Sequence, residues 1–128
     1  MKNLWIGTSW KMNKTRVGAR AFAHGLKDSA FAAHPDVQSF VVPPFPYIAD
    51  VAEILKATEV KVGGQNMHWA GHGAWTGEIS AAMLVDCGAA LVEIGHSERR
   101  IHFGAQSGLG LAAWAHGTGA YRRHKGRI

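Results

Sequence analysis

The chain has little of several features that would assign a protein to a class directly. Cys87 is the only cysteine in 128 residues, which excludes a disulfide framework and a cysteine-based zinc site and fits a reducing cytoplasm. No apolar run approaches the roughly 18 residues of a membrane span, and residues 1–14 lack the apolar core of a signal peptide. These absences predict a cytoplasmic location and no membrane partner.

Acidic residues are absent from residue 105 onward. Residues 1–104 hold ten Lys/Arg and nine Asp/Glu, so most of the formal charge of +5 lies in a tail that carries Arg122, Arg123, Lys125 and Arg127. A basic tail can bind polyanions because binding releases their counterions. This location argues against an evolved nucleic-acid site, and a polyanion binder acting through residues 118–128 is kept only as an alternative.

Short apolar runs alternate with longer amphipathic ones, which is typical of βα units with parallel strands. Thr15 is a candidate cap for the first helix, whose apolar face would carry Val17, Ala21, Phe22 and Leu26. The pattern predicts strands over 4–7, 39–42, 60–65 and 91–94, helices over 16–33, 47–56 and 79–87, and a glycine-weakened helix over 107–115. Residues 66–78 form a long loop, and residues 118–128 are predicted to be disordered.

Polar side chains follow three of the predicted strands. Ligands bind at the carboxyl ends of strands in parallel α/β sheets. Ser9 and Lys11 follow the first strand, Gln65 and Asn66 the third, and His96 the fourth. An ammonium group at Lys11 could attract a phosphate or stabilise an oxyanion, although a solvated surface lysine is the ordinary alternative.

The residues around His96 suggest how its imidazole could be used. Ser97 could cap a following turn whose amides and dipole disfavour an imidazolium, and Glu98 could pair with Lys11 across the strand ends. His68 and His72 are four residues apart, but Gly71 and Gly73 argue against a helix there and no third ligand is evident. No metal site is therefore predicted.

Five motifs occur in one order along the chain: TSWKMN, VGGQNMHW, AWTGEIS, DCGA and IGHSERRIHFG. In this order and approximate spacing they resemble the triosephosphate isomerase family over about residues 4–104. The resemblance implies an α/β fold of parallel βα units. About the first four of the eight units of a (β/α)₈ barrel would be present, with residues 1–117 as its N-terminal half.

The resemblance also implies an activity and the residues that carry it. A family member interconverts glyceraldehyde 3-phosphate and dihydroxyacetone phosphate through an enediol(ate), in glycolysis and gluconeogenesis, without a cofactor. Lys11 would bind substrate and steady its negative charge, and His96 would be the electrophile, a neutral imidazole that moves protons between two substrate oxygens, as it is in triosephosphate isomerase. The resemblance also places Ser9 in substrate binding and gives Asn13, Ser97 and Glu98 supporting roles beside the site. Trp75 and Thr76 would lie in a dimer loop. Such a loop implies a homodimer or association with a full-length relative.

Two departures from the family pattern change these expectations. Ser9 stands where the family usually has asparagine, and the shorter side chain favours an alternative substrate, a four-carbon ketose phosphate such as erythrulose phosphate. The family's general base, a glutamate after strand six, and its phosphate-binding turns have no counterpart here, as expected of a truncated or frameshifted gene. Little activity is therefore expected of this chain alone, and a non-catalytic partner of a full-length isomerase is the other alternative.

A half barrel leaves its first and fourth strands as open edges. Such edges are compatible with two outcomes. Two copies could close on each other into a barrel-like dimer, or the chain could be prone to aggregation.

Overall fold

A computed structural model describes residues 4–29 and 34–104 of the chain. Strands and helices alternate through both segments, with a short 3₁₀ turn, Phe45–Tyr47, ahead of the second helix. The strands are β1 Leu4–Ser9, β2 Val37–Val42, β3 Lys61–Gly64 and β4 Leu91–Val92, and the helices are α1 Arg16–Lys27, α2 Ile48–Leu55, α3 Ala81–Asp86 and α4 Ser97–Phe103.

The four strands form one parallel sheet in the order β1-β2-β3-β4. β1 and β2 pair along their whole length, from Leu4 opposite Val37 to Ser9 opposite Val42. β3 joins β2 through Val41 opposite Val62, and β4 joins β3 through Gly63 opposite Leu91. Parallel neighbours in chain order, each followed by a helix, are the first four units of a (β/α)₈ barrel. The predicted fold class is confirmed.

The core lies between the middle strands and the helices that cover them. Ile48, Val51 and Leu55 of α2 are at most 1% exposed. They belong to the same apolar cluster as Val41 of β2 and Val62 of β3. Burying a side chain of this size contributes roughly 1.5–3 kcal/mol, so the βα units in the middle of the sheet carry most of the apolar stabilisation.

The first helix is shorter than predicted and buries a different face. α1 ends at Lys27, with Asp28 as its C-cap, rather than at residue 33. Residues 30–33 lie outside the described residues. Thr15 occupies the N-cap position, but its side chain makes no capping hydrogen bond. Ala19 and Ala23 are the buried residues because small side chains allow close packing. Val17 is 80% exposed, and the expectation that it faces the core was wrong.

The other elements match the predicted ones with shifted ends. Ser80 caps α3, its Oγ accepting a hydrogen bond from the Met83 amide at 3.3 Å, so the helix begins at Ala81 rather than at Ile79. β4 is limited to Leu91–Val92. The predicted helix over 107–115 and the predicted disordered tail over 118–128 lie outside the described residues.

Exposed apolar side chains lie on the edge strand β1 and on α4, the helix that follows the other edge strand. Leu4 and Ile6 of β1 are 53% and 39% exposed, and Ile101 and Phe103 of α4 are 75% and 69% exposed. Neither β1 nor β4 has a second neighbouring strand among the described residues. None of the helices in this part of the chain is both long and apolar enough to cross a membrane.

Candidate active site

The candidate site lies where β1 and β4 end. Ser9 is the last residue of β1, and the amide of Trp10 continues the strand pairing by donating to the Val42 carbonyl at 3.0 Å. The Trp10 side chain is 5% exposed and belongs to the core. This anchored tryptophan fixes the point at which the chain turns out of the sheet, directly before Lys11.

Lys11 has an unusual backbone. Its φ of +57° lies in the left-handed region, which residues with a side chain rarely adopt. Such strain persists where surrounding contacts hold it, and it is concentrated at functional positions. The Lys11 Nζ lies 3.4 Å from Glu98 Oε2 and contacts His96 Nε2. The side chain therefore crosses from the end of β1 to the start of α4.

His96 is the N-cap of α4. Its Nδ1 accepts a hydrogen bond from the Glu98 backbone N–H at 3.1 Å. Because an amide N–H can only donate, Nδ1 carries no proton, and the ring proton of the neutral imidazole is assigned to Nε2. The prediction that Ser97 provides the cap was wrong: Ser97 is the first residue of the helix, and the imidazole of His96 takes the capping position.

The turn ahead of His96 is held by its own contacts. Gly95 has a φ of +69°, a conformation that glycine adopts without steric cost. The Arg100 guanidinium donates to the Gly95 carbonyl from the following helix. This arrangement directs His96, which follows β4 after a short turn, toward Lys11.

Ser9 and Asn13 lie on either side of Lys11 and differ in their partners. The Ser9 Oγ is buried and has no hydrogen-bond partner within the described structure. The Asn13 amide donates to the Trp10 carbonyl at 2.7 Å and so closes the loop after β1. Asn13 supports the loop that carries Lys11, whereas Ser9 offers an unpaired hydroxyl beside it.

Gln65, noted in the sequence only for its place after the third strand, contacts this loop directly. Its Nε2 donates to the Lys11 carbonyl at 2.9 Å and to the Val42 carbonyl at 3.0 Å. The sequence signal was its position at a strand end. A bond between residues 54 positions apart could not be read from local pattern.

The loop that contains Trp75 and Thr76 forms a separate feature. A bridge between His68 and Ser80 closes its base, with the His68 amide donating to the Ile79 carbonyl at 2.8 Å. The ring of Trp75 lies 4.4 Å from that of buried His68, but Trp75 is 49% exposed. Thr76 is exposed beside it.

The chemistry of the site follows from two hydrogen-bond donors, the Lys11 ammonium and His96 Nε2–H, that lie next to each other. The Lys11 ammonium has only donors, and His96 Nε2 carries a proton when Nδ1 accepts. Two donors cannot satisfy each other, so the contact between Lys11 Nζ and His96 Nε2 would open to admit a substrate oxygen that accepts from both. Donors fixed before the reaction stabilise an oxygen on which negative charge develops. The arrangement suits a carbonyl that becomes an enediolate.

The sequence profile of the family described as triosephosphate isomerase matches residues 4–110. The chain belongs to the triosephosphate isomerase family. The match covers every strand and helix of the described residues, and it includes both Lys11 and His96.

Two similar proteins from this family are both described as L-erythrulose-1-phosphate isomerases. The chain is 62% identical over 104 residues to an L-erythrulose-1-phosphate isomerase of Brucella abortus biovar 1 (strain 9-941), a match that covers 81% of this chain and 41% of that protein. It is 59% identical over 100 residues to one from Rhizobium rhizogenes (strain K84 / ATCC BAA-868), covering 78% of this chain and 38% of that protein. The chain thus spans about two fifths of the length of these relatives.

Proposed function

We propose that this chain supplies the Lys11 and His96 half of an isomerase site for a four-carbon ketose phosphate, and that further βα units complete the barrel. The observation that carries the proposal is the convergence of the Lys11 ammonium and the His96 imidazole at the strand ends. The expectation of a triose phosphate substrate is not confirmed. The description shared by the relatives favours the alternative, erythrulose phosphate.

The bond changes follow from the structure of such a substrate. In erythrulose 1-phosphate the carbonyl is C2, and C3 is the neighbouring carbon that carries a free hydroxyl. Removal of the C3 proton by a base forms an enediolate, and the charge moves to the C2 oxygen. Lys11 and His96 Nε2–H would stabilise that oxygen. Transfer of the hydroxyl proton from O3 to O2 through His96, with protonation of C2, then leaves the carbonyl at C3.

Ser9 supports the choice of a four-carbon substrate. The reacting C3 bears an additional hydroxymethyl group, C4, which a triose phosphate lacks. This group lies on the side of the carbonyl away from the phosphate, and so at the end of the substrate that Lys11 and His96 would hold. The Ser9 side chain is shorter than the usual asparagine, and its Oγ has no hydrogen-bond partner within the described structure, so it is the group proposed to hydrogen-bond the extra hydroxyl.

The rest of the barrel would supply the other requirements of the reaction. The match covers 41% of the Brucella abortus relative, so most of that protein's sequence lies outside the matched part. The base that removes the C3 proton and the groups that hold the phosphate are proposed to lie in that remainder. A missing general base alone costs typically 10²- to 10⁴-fold in rate, so we expect negligible turnover from this chain by itself.

A chimera tests this proposal. Residues 4–104 would be joined to the C-terminal remainder of the Brucella abortus relative and assayed with L-erythrulose 1-phosphate. We expect turnover that falls by roughly 10²-fold or more in the Lys11→Met and His96→Gln variants, because each loses a donor to the developing oxyanion. A folded chimera that turns over triose phosphates but not erythrulose phosphate would contradict the proposal.

Ser9 provides a sharper test of substrate choice within the same chimera. Ser9→Asn restores the usual family residue and fills the space proposed for C4. We expect kcat/KM for erythrulose phosphate to fall relative to that for a triose phosphate by roughly 10- to 200-fold, the range for one small group in a fitted pocket. An unchanged ratio would show that Ser9 does not select the substrate.

Association with a second subunit is proposed on the exposed loop. Trp69 and Trp75 are 40% and 49% exposed on a loop whose base is closed. Exposed tryptophans of this kind favour a protein interface, either with a second copy or with a full-length relative. Light scattering of the chimera should show a dimer that Trp75→Ser weakens, and an unchanged dimer would place the interface elsewhere.

A further inference from the structure

The left-handed backbone of Lys11 needs a contact that holds it, and one side chain makes that contact. The Lys11 carbonyl accepts a hydrogen bond from Gln65 Nε2 at 2.9 Å. The same nitrogen donates to the Val42 carbonyl at 3.0 Å. Only an NH₂ group can face two carbonyl oxygens, so the orientation of the Gln65 amide is assigned without ambiguity.

This one amide joins three strand ends. Gln65 directly follows β3, Val42 ends β2, and Lys11 follows β1. The Val42 carbonyl also accepts from the Trp10 amide at 3.0 Å, which ties the residue before Lys11 to the same oxygen. Both hydrogens of the Gln65 amide are used, and both hold the backbone on which the Lys11 side chain depends.

We propose that Gln65 is a positioning residue that holds Lys11 in its left-handed conformation and thereby aims the Lys11 ammonium at the space beside His96. Gln65 would touch no substrate and would act only through Lys11. What the site is used for rests on the proposed function, but the effect of Gln65 on the Lys11 backbone does not.

A purely structural role for Gln65 is the competing explanation, and Gln38 offers a matched control for it. The Gln38 amide likewise donates to two backbone carbonyls, that of Glu59 at 2.7 Å and that of Ser39 at 3.1 Å. It lies near the start of β2 and is 9% exposed, whereas the site lies at the opposite, carboxyl end of the strands. Loss of either amide removes two hydrogen bonds to backbone carbonyls, so both variants should lower Tm.

The experiment uses the full 128-residue chain and compares Gln65→Leu with Gln38→Leu. The first readout is the intraresidue amide-to-Hα NOE of Lys11, which is strong only when φ is positive. The second is the affinity for phosphoglycolate, whose carboxylate has the charge distribution of an enediolate, measured by NMR titration. A Gln65→Glu variant keeps the shape of the side chain but replaces the donor with an acceptor.

The proposal predicts that Gln65→Leu and Gln65→Glu both lose the strong Lys11 NOE, whereas Gln38→Leu keeps it. Phosphoglycolate affinity should fall by roughly tenfold in the two Gln65 variants, the scale of one misplaced charged hydrogen bond, and stay within about twofold in Gln38→Leu. A strong Lys11 NOE retained in Gln65→Leu would overturn the proposal. If the unaltered chain binds no phosphoglycolate, the phosphate is held by the part of the barrel outside this chain, as the proposed function has it, and the NOE alone decides the role of Gln65.

Discussion

β1 and β2 are six-residue strands that pair along their full length, yet they differ in burial. Five of the six residues of β2 are buried, whereas none in β1 is. β2 has a strand on each side and α2 packed beside it, while β1 has a partner on one side only among residues 4–29 and 34–104. The centre of the sheet therefore has a buried core, whereas its β1 edge is exposed and could pack against further elements.

The functional residues belong to the two edges. Lys11 follows β1 and His96 follows β4, and these strands do not pair with each other within the described part of the chain. Contacts at the carboxyl end of the sheet, such as those of Gln65, hold the loop that carries Lys11. Stability and chemistry thus lie in different βα units of the same half barrel.

Core truncation should give the largest difference between centre and edge. Leu55→Ala removes a side chain that is 1% exposed, and we expect a loss of about 2–5 kcal/mol in the free energy of unfolding. Ile6→Ala removes a side chain that is 39% exposed in β1. Its cost should be less than about 1.5 kcal/mol because a substantial part of the side chain is already exposed to water. Urea denaturation of both variants measures the contrast, and equal losses would contradict it.

The junction between centre and edge should show an intermediate effect. A Cβ added at Gly63 would clash with the Leu91 side chain and lie 3.0 Å from the Leu91 carbonyl oxygen, so the Leu91 side chain or β4 would have to move. We expect Gly63→Ala to cost about 1–3 kcal/mol in the free energy of unfolding.

Gly25→Ala is the matched control for this substitution. Nothing lies within 4 Å of a Cβ built at Gly25 in α1. Here the change should stabilise by roughly 0.5–1 kcal/mol because alanine favours a helix. Opposite signs in the urea midpoints support the close approach of β3 and β4. A neutral or stabilising Gly63→Ala would argue against it.

The ion pair between α1 and α2 should give the smallest effect, visible only through pH. The hydrogen bond from Arg16, with the Arg16 and Arg20 charges, holds the pKa of Asp50 below its ordinary value. A carboxylate whose pKa is lowered by folding stabilises the folded state above its unfolded pKa, and this contribution is lost as the pH falls through the folded pKa. The pair is exposed, so the effect should be slight.

Asp50→Asn and Arg16→Gln test this pH dependence. Each should remove the same small part of the acid-induced fall in the urea midpoint, because each breaks the leading contact of Asp50. The difference between the unaltered chain and either variant should shrink as the pH falls into the acid range. A difference that grows toward low pH would contradict the assigned sign.

Much of this arrangement could be predicted from the sequence, for identifiable physical reasons. Alternating apolar runs located all four strands, and the residues after them indicated Lys11 and His96. The buried face of α1 could not be predicted, because burial of Ala19 and Ala23 depends on close packing against other elements rather than on the spacing of large apolar residues within the helix. The cap at His96 was also missed, since local pattern favoured the Ser97 hydroxyl over an imidazole.

The most direct test of the account is whether these four units alone bring Lys11 and His96 together. The measurement is the NOE between the Lys11 Hε protons and the His96 ring protons in the full 128-residue chain. We predict clear cross-peaks, because Lys11 Nζ contacts His96 Nε2 and lies 3.5 Å from Nδ1. A well-dispersed spectrum with β2 and β3 formed, but with no NOE between these side chains, would contradict the claim that this chain assembles its half of the site.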